Sequence, residues 1–190
     1  MQFRSFTPTV EAKIPALIDD LHAQGARAWI LDLRQNGGGN LRVFATIASL
    51  FVQEGTLGVT VDRSGAESQI VTKSDHYRPY ASPLAVLVGS SSASAAELLT
   101  ADLQEYGVAR VFGETTAGCF STSQLFRLSD GTGMWVTTRA LQSGLERRDV
   151  HKRGVSPDVS VPVSRTDLAN GADPPLDTAL RWLGEHQSHK

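Results

Sequence analysis

The segment Ser90-Ser91-Ser92-Ala93-Ser94-Ala95-Ala96-Glu97-Leu98 follows an apolar run, Leu84 to Gly89, and opens a stretch, Ala95 to Tyr106, that reads as a helix. A serine there sits where a strand ends and a helix begins. The first turn of a helix has free N–H groups and favours negative charge. A nucleophilic hydroxyl and part of an oxyanion hole therefore meet at one point of the chain. The same residues also suit a simple helix N-cap, because serine is a preferred cap.

Two further segments carry chemistry only in company. Ile30-Leu31-Asp32-Leu33-Arg34-Gln35-Asn36-Gly37-Gly38-Gly39 ends a strand in three glycines, which let backbone amides come close to a ligand or an oxyanion. It has neither the G-x-G-x-x-G spacing of a dinucleotide fingerprint nor the lysine of a P-loop, so a phosphate cradle is not expected. The other is a set of turn-like pieces: Gly113-Glu114-Thr115-Thr116-Ala117-Gly118-Cys119, Gln124, Leu128-Ser129-Asp130-Gly131 and Gly154-Val155-Ser156-Pro157-Asp158.

The elements that must position these residues follow from periodicity. Gln2 to Phe6 reads as a short strand. Thr7 caps a helix with Pro8 at its first position, and Val10, Ile14, Leu17, Ile18 and Leu21 form its apolar stripe up to Gly25. Ala28 to Leu33 is a buried strand, and Leu41, Phe44, Ala45, Ala48 and Phe51 line the next helix. Thr56 to Asp62 and Ser68 to Thr72 alternate as a hairpin turning near Gly65. After the strand at 84–89 and the helix at 95–106 come a strand at 110–112 and a loop at 113–123. A second hairpin pairs Gln124 to Leu128 with Met134 to Ala140. Val155 to Val163 is a last strand, 170–175 a breaker, and Leu176, Ala179, Leu180 and Leu183 stripe a terminal helix. The alternation predicts one α/β domain over 1–190, with helices on a mixed central sheet.

Bulk properties narrow the function. The 190 residues carry a formal net charge of −2, which gives no reason to expect nucleic acid or an anionic membrane as partner. Cys119 is the single cysteine, which excludes an intrachain disulfide and a cysteine-based zinc site. No apolar run spans a bilayer, and the first residues lack the character of a signal peptide, so an export signal, if there is one, is expected outside this chain. That leaves the compartment open. No cofactor and no metal is expected.

Taken in order, the motifs resemble the catalytic core of the S41 peptidases, the C-terminal processing or tail-specific proteases. Asp32 to Gly39 is similar to D-L-R-x-N-x-G-G, Ser92 to Glu97 to S-A-S-A-x-E, and Glu114 to Gly118 lies in G-E-x-T-x-G. Leu128 to Gly131 is similar to L-x-D-G, and Gly154 to Asp158 to G-[IV]-x-P-D. The resemblance runs from Phe3 to about Val163. It implies a ClpP/crotonase-like fold of stacked β-β-α units and peptide-bond hydrolysis through an acyl-enzyme. It makes Ser94 the nucleophile, with the backbone of Ala95 and of Gly38 or Gly39 as oxyanion hole. Ser90, Ser91 and Ser92 become turn residues. It implies protein or peptide substrates, cut in their C-terminal segments. The PDZ-like domain common in the family has no counterpart in these residues.

One departure concerns the base. In the processing proteases a lysine follows the glycine of G-E-x-T-x-G; here Cys119 stands there, and no lysine lies between Lys73 and Lys152. A serine hydroxyl is a poor nucleophile without a base. Cys119 is expected to be a small buried residue. Tricorn-type relatives use a histidine instead, which leaves His76 and His151 as candidates; His22, His186 and His189 lie on an amphipathic helix end or in the tail. Gln124 sits where the family orients its base. Glu97, one helical turn from Ser94, is placed to orient a base or a substrate amine, or only to face the helix dipole. Two rival readings remain: a silent S41-like module that binds a peptide or a small apolar ligand, and an acyl-CoA enzyme of the crotonase fold. The oligomeric state is not legible.

Overall fold

The computed structural model describes residues 1–81 and 83–187, so His189 lies outside the described residues. The strand Leu84–Val88 (β4) has no exposed face. Leu84, Val86 and Val88 join one apolar core, whereas Ala85 and Leu87 join another with Phe112, Ala179 and Leu183. A strand buried on both faces reads as an unbroken apolar run, as this one does. It pairs in parallel with Trp29–Asp32 (β1) on one side and Ala109–Gly113 (β5) on the other. Val159–Ser160 (β8) pairs in parallel with the other edge of β5. The helices Pro8–Ala23 (α1), Leu41–Ala48 (α2) and Ala95–Glu105 (α3) contribute Ile14, Phe44, Ile47, Leu98 and Leu99 to the first core. The helix Pro174–Gln187 (α5) closes the second.

The remaining strands form a second sheet. Thr56–Asp62 (β2), Glu67–Val71 (β3), Ser121–Arg127 (β6) and Gly133–Gln142 (β7) are antiparallel, in the order β3-β2-β7-β6. Leu57 and Leu141 reach the first core, and Gly58 lets the Leu98 side chain approach β2. Parallel and antiparallel pairings are both present, as expected, and they are sorted into two sheets rather than joined in one. The physical reason is reach: hairpins pair locally, while the parallel strands require crossovers.

Some elements differ from expectation. The first residues form two isolated bridges, Gln2 with Asp32 and Phe6 with Gly39, rather than a strand. The last strand shrinks to two residues because Pro157 and Pro162 flank it and proline has no N–H to give. A short helix, Arg165–Ala169 (α4), stands where none was predicted; Ser164 and Asp167 cap it reciprocally. The breaker yields to α5 at Pro174, since proline is tolerated in a first turn. Of the terminal stripe, Leu180 faces solvent. No helix among the described residues is long and apolar enough to cross a membrane.

Asp102 is fully buried on α3. Its Oδ1 accepts the Gly144 N–H at 2.9 Å, and its Oδ2 has no hydrogen-bond partner among the described residues. Burial pushes its carboxyl well above the usual range; Glu105 adds to this, and the Gly144 N–H and Arg148 oppose it. An acid protonated more readily in the folded state gives its full stabilisation below the unfolded value near ~4, and loses it as pH rises through the folded value. The stability of Asp102→Asn relative to the unsubstituted chain is therefore expected to increase with pH above ~4, by at most ~1.4 kcal/mol per unit. Urea unfolding across pH 4–8 checks this, and a constant difference would refute it.

Candidate active site

Ser94 is the N-cap of α3 and has φ 56° and ψ −119°, a backbone region that side chains rarely adopt. Holding a non-glycine residue there costs about 1–3 kcal/mol, so the surroundings must over-determine it. They do so from three sides. The Ser94 N–H donates to Glu97 Oε2 at 3.0 Å and to the Cys119 carbonyl at 3.1 Å. The Ala93 N–H donates to the Asn36 carbonyl at 2.9 Å. Ser92 is buried, donates to the Leu33 carbonyl at 2.8 Å and accepts the Gly89 N–H at 3.0 Å. Ser92 is thus a strut of the turn, and Ser90 and Ser91 are exposed turn residues. Ser94 and Glu97 form a capping box, and Ser94 lines a cleft of about 630 Å³.

Glu97 ties the turn to the next motif. It is fully buried, and besides Ser94 it accepts the Thr116 hydroxyl at 2.6 Å and the Gly118 N–H at 2.7 Å, both on Oε1. Thr116 Oγ1 in turn accepts the Val155 N–H at 2.7 Å. Gly118 has φ 73°, and a Cβ there would lie 3.0 Å from the Arg153 backbone nitrogen. Two sequence motifs therefore meet on one carboxyl group, and a third joins them through Thr116. Farther along the same helix, Gln104 donates its amide to Asp158 at 2.7 Å, and the Val111 N–H donates to the same carboxylate at 2.7 Å, which anchors the last motif.

The glycine loop forms the facing wall. Asn36, fully buried, donates to the Phe3 carbonyl at 3.0 Å and accepts the Gly38 N–H at 2.9 Å. The Gly38 N–H is already committed, whereas the N–H groups of Gly39 and Ala95 have no acceptor among the described residues. Gly38 serves instead as clearance: with φ 97°, a Cβ there would fall 2.6 Å from the Ser94 Cβ and 2.8 Å from the Ala93 carbonyl oxygen. The motif by itself assigns Asn36 no role; its signal in the sequence is an amide amid glycines, which is a frequent loop brace.

The other expected residues divide. Cys119 is exposed rather than buried, because its carbonyl turns to Ser94 and the neighbouring Phe120 takes the buried place. His76 sits in the 3₁₀ turn Ser74–His76, which follows the bond from the Lys73 N–H to Ser49 at the C-terminal end of α2. The cleft lies at that helix's N-terminal end. His151 is exposed on the segment that docks against Gly118 through the Lys152 N–H, 2.7 Å from the Gly118 carbonyl. Lys152, with φ 62°, was not singled out by sequence, since the proximity arises through tertiary contact. Gln124 lies on β6 just past the cleft-lining residues 121–123, and is exposed. Among the described residues no cluster of three or more His, Cys, Asp or Glu is arranged to hold a metal.

Comparison with known proteins is consistent over the whole chain. The family model for peptidase family S41 matches residues 1–161. A carboxyl-terminal-processing protease of Synechocystis sp. is 33% identical over 186 residues, covering 96% of this chain and 43% of that protein. One of Picosynechococcus sp. is 36% identical over 197 residues, covering 99% and 45%. The solved structure of a photosystem II D1 C-terminal processing protease aligns with a TM-score of 0.76 at 31% identity, over 85% of this chain and 41% of that one. A putative S41 protease from Bacteroides fragilis shares the fold, with a TM-score of 0.81 at 17% identity over 96% of this chain and 53% of that one. The chain spans less than half the length of the curated relatives described.

Glu97→Gln places an amide N–H among three donors and forfeits at least one of these bonds, an expected loss of about 1–3 kcal/mol. Urea unfolding reads that loss, and an unchanged midpoint refutes the role. Gly38→Ala is expected to abolish labelling of Ser94 by a fluorophosphonate, because the added methyl overlaps the Ser94 Cβ; labelling at the unsubstituted rate counts against this packing.

Proposed function

This chain belongs to peptidase family S41, and on that premise we propose that it is the hydrolytic core of a serine peptidase. Its substrates would be proteins cut in their C-terminal segments, as the names of its relatives say of those proteins. The observation that carries the reading is Ser94 itself: a serine in a strained backbone conformation that lines the cleft, near the N–H groups of Ala95 and Gly39, which have no acceptor among the described residues. Strain of this kind is kept where function requires it.

In this mechanism the peptide lies in the cleft with its scissile carbonyl against Ser94. Ser94 Oγ attacks the carbonyl carbon, and its proton passes to a base. The oxygen of the tetrahedral intermediate accepts the N–H groups of Ala95 and Gly39, which are preorganised and cost no rearrangement. The base returns the proton to the leaving amine as the C–N bond breaks. Water then attacks the acyl-enzyme by the reverse path and frees Ser94. Glu97 supports these steps by orienting the Ser94 backbone.

With Cys119 at the usual lysine position, we assign the base to the segment packed on Gly118, with His151 as first choice and Lys152 beside it. The test is labelling by a fluorophosphonate. The unsubstituted chain is expected to react and Ser94→Ala not to. His151→Ala is expected to slow labelling at least tenfold, within the range general bases supply. A slow Lys152→Ala with a normal His151→Ala would transfer the role to Lys152. Cys119 at the usual lysine position also favours a second reading, a silent peptide-binding module. Failure of the unsubstituted chain to label, with peptide binding retained, would establish that reading instead.

A further inference from the structure

The cleft that holds Ser94 has two unlike walls. On one side is the segment 39–42, where the chain enters α2; on the other are residues 121–123 of β6 and the side chain of Trp135 on β7. Trp135 is 69% exposed, so a large apolar surface faces the cleft without cover. Arg42 is the single charged residue among those that line it. Cleft walls of one charge sign concentrate ligands of the other sign.

Arg42 is both held and available. Its Nη2 donates to Glu11 Oε2 at 2.9 Å, while its side chain stays 67% exposed. Glu11 does not cancel this charge alone. The Thr46 hydroxyl donates to Glu11 Oε1 at 2.8 Å, and Lys73 Nζ donates to that hydroxyl at 2.8 Å and lies 4.0 Å from Glu11. One carboxylate thus faces two cations, of which Arg42 is the one that lines the cleft. Anchoring at one nitrogen leaves the other donors of the planar guanidinium to bind a carboxylate.

We infer that Arg42 selects peptides that carry a carboxylate beside the bond presented to Ser94, with an apolar residue resting on Trp135. This rests on the peptidase reading and adds the charge class of its substrate. The carboxylate has two possible sources, an acidic side chain or the free C-terminus of a short product-side segment. Both present the same chemistry to the guanidinium.

The test reads binding, so that it does not depend on turnover. The Ser94→Ala chain is titrated with fluorescein-labelled decapeptides and followed by polarisation. The peptides differ only in Glu, Gln or Lys at successive positions, each with a free or an amidated C-terminus. The Glu peptide, or the free-carboxylate peptide, is expected to bind about three- to tenfold more tightly than its Lys or amidated counterpart. The preference is expected to shrink with added salt and to vanish in Ser94→Ala/Arg42→Gln. Comparing Glu with amidated peptides identifies the source. Because the peptides change and the protein need not, a poorly folding Arg42 variant does not spoil the comparison. Binding without charge preference overturns the inference while fluorophosphonate labelling of Ser94 upholds the peptidase reading. Absence of any peptide binding overturns the inference too, and absence of labelling as well removes the reading on which it rests.

Discussion

The site depends on one buried carboxyl group. Glu97 accepts hydrogen bonds from the Ser94 N–H, the Thr116 hydroxyl and the Gly118 N–H. A buried polar group without partners is costly, so its fully met hydrogen bonding specifies a single arrangement. That arrangement binds the serine turn, the loop after β5 and, through Thr116, the segment at Val155. Without it these are three loops from distant parts of the chain, each with several conformations open to it. With it they surround one strained serine.

The strain is local but its support is spread out. Asn36 braces the glycine loop against Phe3 and Gly38, and its carbonyl holds Ala93. Ser92 closes the turn beneath. The rigid base for all of these is the parallel sheet, whose strand β4 is buried on both faces and leads into the site. The loops at the carboxyl ends of β1, β4 and β5 supply the glycine wall, Ser94 and Gly118 respectively. A parallel sheet gathers such loops at one edge, which is why ligand sites in open α/β folds form there. The antiparallel sheet then adds the far wall of the cleft through β6 and Trp135.

Much of the fold was legible because the signals are local. The apolar run of β4, the stripe of α1, and the turn at 129–132 follow from burial, periodicity and turn chemistry. The misses have equally local causes. Pro157 and Pro162 cut the last strand short. Ser164 and Asp167 form a capping pair around a helix too short to show periodicity. The division into two sheets was not legible, since pairing depends on which edges meet.

The motif order and the helix-start position singled out Ser94, and the absence of lysine at residue 119 could be read directly; these are properties of residue type and spacing along the chain. The tertiary structure alone decided which N–H groups stay free. It committed Gly38 to Asn36, left Gly39 and Ala95 unbonded, turned Cys119 outward, and brought Lys152 and Arg42 toward the site. The physical reason is that a hydrogen bond or a cleft wall is a relation between segments far apart in sequence. Its partners are set by packing of the whole chain, and no local pattern encodes them.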